Sequence, residues 1–340
     1  MKFLKWLGFI LLLLIVVYFL GPTPSSPQLS KELPVVPSDP VALEKYIHDH
    51  EALHKLKADN EARIMWLYDS LKEKTEYAVV YIHGFSACRE EGNPVHYDFA
   101  KKFGCNLFLQ RLEDHGVDTS EPLANLTADK LWNSAKEAYA VGKQLGGKII
   151  LMATSSGGTL ALKLAAEYPD IAALILLSPN IAINDGAAWM LNNHWGLQIA
   201  RLIKGNHIHA KDTSALYKQY WNQTYCIESV IQLEELLEST MKESTFKKIT
   251  QPTLLLYYYK DEKHQDPVVR VTAMKRMFVQ LGTPENMKRQ MPVPNAGNHV
   301  IGSYVKSKDL QTVEGDINKF ATEILHLKQL PDDPYKQSDH

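Results

Sequence analysis

Two kinds of apolar pattern alternate along this chain. Lys148-Ile149-Ile150-Leu151-Met152 is a short, nearly unbroken apolar block, and Tyr77 to Ile82, Asn106 to Leu109, Ala172 to Leu177 and Thr253 to Tyr259 repeat its character with β-branched and aromatic residues. Blocks of this kind predict strands buried on both faces. Between them, apolar residues fall three and four positions apart, as in Leu160, Ala161, Leu164, Ala165 and Tyr168, a run that Pro169 ends. Strand blocks separated by helical runs predict an α/β class built on a doubly wound, mostly parallel sheet. Leu43, Tyr46, Ile47, Leu53 and Leu56 predict a further helix over 41–58, packed on the same domain.

The N-terminus follows a different rule. Lys2 and Lys5 flank the start of an apolar run, Trp6 to Leu20, that only Gly8 interrupts, and Gly21-Pro22 then breaks any helix. This predicts an export signal or a membrane anchor over residues 1–21. Bulky Tyr18, Phe19 and Leu20 stand where a cleavage site needs small residues, and no cysteine follows to carry a lipid. The expectation is therefore an uncleaved anchor with the catalytic domain outside the cytoplasm, since positive charge lies on its N-terminal side. The alternative is secretion after cleavage near Ser25 or Ser26. Residues 22–40 carry six prolines and predict an extended linker that holds the domain away from the bilayer. Residues 331–340 read as a C-terminal tail.

Candidate chemistry sits where strand blocks end. Ala153-Thr154-Ser155-Ser156-Gly157-Gly158 joins a predicted strand to a predicted helix, and a tight turn there would display Ser155 between small neighbours. Without other signals, the same residues describe an ordinary serine and glycine turn. His83-Gly84-Phe85 ends another strand, with His83 read as scaffold, and Asn295-Ala296-Gly297-Asn298-His299 is a polar loop presenting one histidine, the candidate base.

Taken in order, His83-Gly84-Phe85, Arg111 to Gly116, the Ser155 turn and Asn298-His299 resemble the α/β-hydrolase superfamily, in particular its monoacylglycerol-lipase and carboxylesterase-like branch, over about residues 60–327. Two positions depart from that pattern: Ala153 stands for the first glycine of GxSxG, and Asp114 replaces a glycine. The resemblance implies an α/β-hydrolase domain over 41–330, with a helical cap at about 184–250 inserted after the sixth strand, Ala172 to Leu177. It implies Ser155 as nucleophile, His299 as base, and the backbone N–H groups of Phe85 and Ser156 as the oxyanion hole. For the acid, Asp261 and Asp266 both follow the strand at Thr253. Asp266 is chosen because Pro267-Val268-Val269 after it matches the family habit, with Asp261 as the alternative. The implied substrate is a small-molecule or lipid-like acyl ester, and no cofactor or metal is implied. Amide, thioester or peracid chemistry uses the same triad, and a non-catalytic binding protein on a hydrolase scaffold stays open.

Composition narrows the rest. The 340 residues, 45% of them hydrophobic, suit one enzyme-sized domain behind the N-terminal segment. A formal charge of −2 shows no sign of a nucleic-acid surface. Cys88, Cys105 and Cys226 allow at most one bridge. His207 and His209 form a His-x-His pair with no carboxylate or cysteine at supporting spacing, and read as polar loop residues.

Overall fold

A computed structural model describes residues 2–331, so nearly all of the expected tail at 331–340 lies outside the described residues. After an N-terminal helix α1 (Lys2–Phe19) and α2 (Pro40–Glu51), the chain alternates strands and helices: β1 (Arg63–Met65), β2 (Thr75–Ile82), α3 (Val95–Lys102), β3 (Asn106–Leu109), α4 (Ala128–Leu145), β4 (Gly146–Thr154), α5 (Ser156–Glu167) and β5 (Ile171–Leu177). Next come α6 (Gly196–Lys204), β6 (His207–His209), α7 (Ala215–Tyr220), β7 (Thr224–Cys226), α8 (Ile227–Thr240) and α9 (Glu243–Phe246). The domain closes with β8 (Thr253–Tyr257), α10 (Val271–Gln280), β9 (Lys288–Pro292) and α11 (Leu310–Glu323).

The main sheet has seven strands in the order β1-β3-β2-β4-β5-β8-β9, with β1 antiparallel to β3 and every other pair parallel. This is the α/β-hydrolase fold. Successive residues of one strand enter opposite cores, which is why the strand blocks lack an apolar-polar alternation. Ala78, Val80, Ile82, Leu151 and Ala153 pack with Leu131, Trp132 and Leu160 of α4 and α5. Val79, Tyr81, Ile150 and Met152 pack with Phe99 of α3 and Ile317 and Phe320 of α11.

Several elements differ from expectation in extent. The strand at 171–177 is fifth in chain order, because only β1 precedes β2 and the expected count of six assumed one strand more. The helix expected over 41–58 ends at Glu51, since the chain beyond it pairs its backbone with the loop after β3: Lys57 N donates to Gly116 O at 2.8 Å and Asp118 N to Lys55 O at 2.7 Å. The strand starting at Thr253 stops at Tyr257, whose carbonyl accepts the final bond of the ladder from Val293 N at 2.9 Å. The segment between β5 and β8 is mainly helical, as expected of a cap, yet it also contains the antiparallel pair β6–β7.

Residues 22–38 are not a free spacer. They lie along α4 and α5 because those helices offer partners for their backbone: Asp129 accepts the N–H groups of Gln28 and Leu29, Trp132 Nε1 donates to Ser30 O at 2.7 Å, and Tyr168 OH donates to Lys31 O at 2.7 Å. Leu29, Leu33 and Val36 add apolar contact with the core below. None of α1 is buried, and its length and composition are sufficient to cross a membrane. Its C-terminal end touches the segment before α6, where Trp195 N donates to Pro22 O at 3.0 Å and Trp195 Nε1 to Val17 O at 2.9 Å.

Asp129→Ala removes the acceptor of two strap amides, a loss of about 1–2 kcal/mol in local stability. Limited proteolysis of the full chain should cut between residues 28 and 38 faster in this variant than in the wild type; equal rates would show that the strap is held elsewhere.

Candidate active site

Strand β4 passes into α5 through Ser155, whose backbone adopts φ 53° and ψ −121°. A non-glycine residue with positive φ is strained, and the surroundings hold it there. Ser155 N donates to Leu177 O at 3.1 Å, while Ser155 O accepts from Gly158 N at 2.9 Å and Asn180 N at 2.8 Å. The first turn of α5 presses against the end of β2. A Cβ on Gly157 would lie 2.0 Å from Ile82 O, and one on Gly158 would lie 2.6 Å from Pro179 Cβ. Ala153, the departure from the glycine pattern, is fully buried as the last small residue but one before the turn.

The loop after β2 runs beside Ser155, and a Cβ on Gly84 would meet Ser155 Cβ at 2.8 Å. Its next residue, Phe85, and the first helical residue, Ser156, are the two expected oxyanion donors. Neither amide donates to a backbone carbonyl among the described residues. The Ser156 amide also stands at the positive end of α5, where orphan N–H groups favour an anion. His83 is buried with both ring nitrogens engaged: Nε2 accepts from Leu112 N at 3.0 Å and Nδ1 lies 2.8 Å from Gly84 O. Burial drives its pKa well below the ordinary histidine value, so it is a neutral brace for this loop. Asp114, which replaces a family glycine, takes φ 61°, a conformation glycine adopts without strain. Arg111 bonds Glu51 of α2 at 2.8 Å and so ties the helix to the loop, while His115 packs edge-on against Phe85.

Asp266 and His299 come from the loops after β8 and β9, which are neighbours in the sheet. Asp266 Oδ2 lies 2.6 Å from His299 Nδ1, and Asp266 Oδ1 accepts the N–H groups of Val268 at 2.8 Å and Val269 at 3.0 Å. Asp261 lies elsewhere: its exposed carboxylate bonds His264 Nδ1 at 2.9 Å. Burial by itself would lower the His299 pKa, but the charge and hydrogen bond of Asp266, with a smaller contribution from Glu91, hold it above the ordinary 6.5. His299 Nε2 is buried without a hydrogen-bond partner, so no bond joins it to Ser155 Oγ in this structure. Such contacts are often long before substrate binds.

Ser155 and His299 line one cavity of about 410 Å³. Phe85, Val268 and Val300 line it from the loops after β2, β8 and β9, and Tyr217, Trp221, Tyr225 and Leu233 line it from the cap. Tyr217 and Trp221 stack at 5.4 Å, with Lys306 Nζ 4.3 Å above the Tyr217 ring. Of the cap tryptophans, Trp221 enters the cavity, whereas Trp189 is exposed and Trp195 serves the N-terminal segment. Glu91, a carboxyl only 2% exposed, also lines the cavity, and no motif in the sequence marks it. Its sole signal was position, seven residues beyond Gly84, which says nothing of burial. The surroundings of His207 are likewise unmarked in the sequence. Strand pairing sets Cys226 opposite it, and Glu121 arrives from the loop before α4, giving a His, Glu and Cys group with ligand atoms within 4.8 Å of one another. Hydrogen bonds to Glu121 account for that contact, at 2.9 Å from His207 Nε2 and 3.1 Å from Cys226 Sγ. All three cysteines are buried and free, so the one possible bridge is not formed.

Comparison with known proteins agrees with this architecture. A family described as serine aminopeptidase, S33, matches residues 128–287. The chain is 27% identical over 195 residues to a thermostable monoacylglycerol lipase of Bacillus sp. (strain H-257), an overlap of 57% of this chain and 74% of that one. Among solved structures, a metagenome-derived lipolytic enzyme superposes with a TM-score of 0.63 at 15% identity, covering 78% of this chain and 98% of its own. The monoacylglycerol lipase of Paleococcus ferrophilus superposes with a TM-score of 0.57 at 14% identity, again covering 78% and 98%.

Gly157→Ala places a methyl group on the Ile82 and His83 carbonyls, and rigid backbone on both sides cannot yield cheaply. It should destabilise the protein by at least about 2 kcal/mol, read as a lowered thermal midpoint; an unchanged midpoint would show that the turn has room to spare.

Proposed function

We propose that this member of the α/β-hydrolase superfamily is a membrane-tethered serine hydrolase cleaving carboxylic esters, with lipid-like acyl groups as the substrate class. One observation supports it above others: a buried Asp266–His299 pair bonded at 2.6 Å shares a cavity with a serine held at a strained strand-to-helix turn. Hydrolase relatives of the lipase and esterase type agree with the reaction class, and the aromatic and aliphatic walls suit an acyl chain.

In this reading Ser155 Oγ attacks the ester carbonyl carbon as His299 Nε2 takes its proton. Asp266 keeps the remaining imidazole proton on Nδ1 and stabilises the imidazolium. The carbonyl oxygen becomes an oxyanion facing the Phe85 and Ser156 amides, where one such donor is worth about 3–4 kcal/mol. Collapse breaks the bond to the alcohol oxygen, which receives the proton from Nε2 and leaves. A water deprotonated by His299 then attacks the acyl-enzyme, releasing the carboxylate and restoring Ser155. No step calls for a cofactor.

The match to a family described as serine aminopeptidase favours amide cleavage as the second reading, because the same residues would protonate a leaving amine. Parallel panels of nitrophenyl esters and aminoacyl nitroanilides separate the two. The tether rests on α1 and the apolar run it contains, with the catalytic domain on the outer side of the membrane by the positive charge at Lys2 and Lys5.

A fluorophosphonate probe should label Ser155, and Ser155→Ala should abolish labelling. Asp266→Asn should lower turnover by about 10⁴-fold with the fold intact, whereas Asp261→Asn should leave it within about twofold. A folded wild-type protein that refuses the probe would leave only a binding protein on this scaffold. For the tether, an alkaline wash should leave the full chain in the membrane pellet; soluble protein beginning near Ser25 or Ser26 would replace the anchor with a cleaved signal.

A further inference from the structure

Glu91 stands in the candidate active site with no part in the chemistry above. It belongs to the short helical turn Arg89–Gly92, which follows the loop that carries Phe85. Its side chain folds back into the cavity and is 2% exposed. There it accepts the N–H of Gly84, and a single point, the Cβ position of Gly84, lies 2.8 Å from both Glu91 Oε2 and Ser155 Cβ. The carboxylate and the serine are therefore close neighbours across a glycine that leaves them room. No Lys or Arg pairs with Glu91 among the described residues; the adjacent Arg89 is committed to Asp59, Glu61 and Glu90.

A buried carboxyl without a cation is costly unless something nearby uses its charge. We propose that Glu91 is a positioning residue of the serine-hydrolase site: it holds the Gly84 N–H so that the Phe85 amide aims at the oxyanion, and it supplies a second negative charge to the His299 imidazolium. The inference rests on the serine-hydrolase reading. The peptide unit that carries the Phe85 N–H also carries Gly84 O, which bonds His83 Nδ1 at 2.8 Å, so Glu91 on Gly84 N and His83 on Gly84 O hold Gly84 from both sides and together limit the orientation of the Phe85 amide. Glu91 and His299 are both buried, where interactions between charges are poorly screened.

Four groups face Glu91. Tyr81 comes from β2, Cys88 from its own turn, Tyr217 from α7 and His299 from the loop after β9. Burial pushes the ionisation of Tyr81, Cys88 and Tyr217 upward, so all three stay neutral in the working range. Burial likewise raises Glu91, to about 7, against the Gly84 N–H, His299 and the Trp221 indole, which favour its charged form. Glu91 and His299 thus titrate as a coupled pair. Only neutral His299 can accept the Ser155 proton, so activity is present above the His299 pKa and lost on acidification through it. A negative Glu91 raises that pKa, and removing the charge lowers it.

Glu91→Gln keeps an acceptor for Gly84 and removes the charge. In the full chain in detergent, with nitrophenyl acetate as probe substrate, the acid limb of kcat/KM should move down by about one pH unit and the plateau should fall about tenfold. A purely structural Glu91 would leave the limb in place, and a folded Glu91→Gln with wild-type rate and profile overturns the proposal. If that variant does not fold, Glu91→Asp carries the test, since it keeps the charge but withdraws the carboxylate from Gly84. Its plateau should fall at least tenfold with the acid limb unmoved, and a wild-type rate overturns the proposal. A wild-type protein that neither labels at Ser155 nor hydrolyses the ester sinks the underlying reading instead, which fluorophosphonate labelling reports separately.

Discussion

The contact on which the rest depends is backbone against backbone: the first turn of α5, at Gly157, lies directly on the carbonyls that end β2. It can form because β2 and β4 are adjacent parallel strands whose C-terminal ends emerge together. Two loops therefore leave the sheet side by side, one carrying Gly84 and Phe85 and the other carrying Ser155 and Ser156. A side chain at position 157 would separate them, and the Ser155 turn would relax. The strain at Ser155 is thus maintained by the core beneath it, where Ile82 and Ala153 are paired in register and fully buried.

The opposite half of the sheet delivers the remaining groups by the same geometry. Strands β8 and β9 end together, so Asp266 and His299, 33 residues apart in sequence, meet at one edge of the cavity. Two valine amides lock the Asp266 carboxylate before it reaches the imidazole. Around His299 the electrostatic balance runs between burial, which opposes its charge, and two carboxylates, which favour it. That balance suits the proposed base, which must gain a proton briefly at a buried position and give it back.

The cap supplies a further wall of the cavity, and the N-terminal segment docks elsewhere, along α4 and α5. Tyr217, Trp221 and Tyr225 roof the proposed nucleophile, and the β6–β7 pair secures this part of the cap to the loop at Glu121 and Pro122, where Cys226 N donates to Pro122 O at 3.0 Å. The strap over α4 and α5 brings the end of α1 to Trp195, on the cap side of the domain. An enzyme tethered through α1 would then carry its cap close to the point where the chain meets the bilayer.

Much of this was legible in the chain itself, because it depends on local rules. Unbroken apolar blocks announce doubly covered strands, small residues around Ser155 permit the tight turn, and Pro169 ends the helix after it. What depends on distant segments was not legible. Asp261 and Asp266 lie five residues apart on one loop, and only the path of that loop past His299 separates an exposed turn residue from a buried partner. Prolines at 22–40 predict an extended strand equally well whether it hangs free or lies on α4, since extension is set by φ while docking is set by Asp129, Trp132 and Tyr168. Glu91 reads as one acid in a charged run until the fold turns it inward, and His207 lacks neighbours until strand pairing sets Cys226 beside it. Periodicity and backbone sterics act between near neighbours and are written in order along the chain; burial, charge pairing and loop course arise between residues that only the assembled sheet brings within a few ångströms.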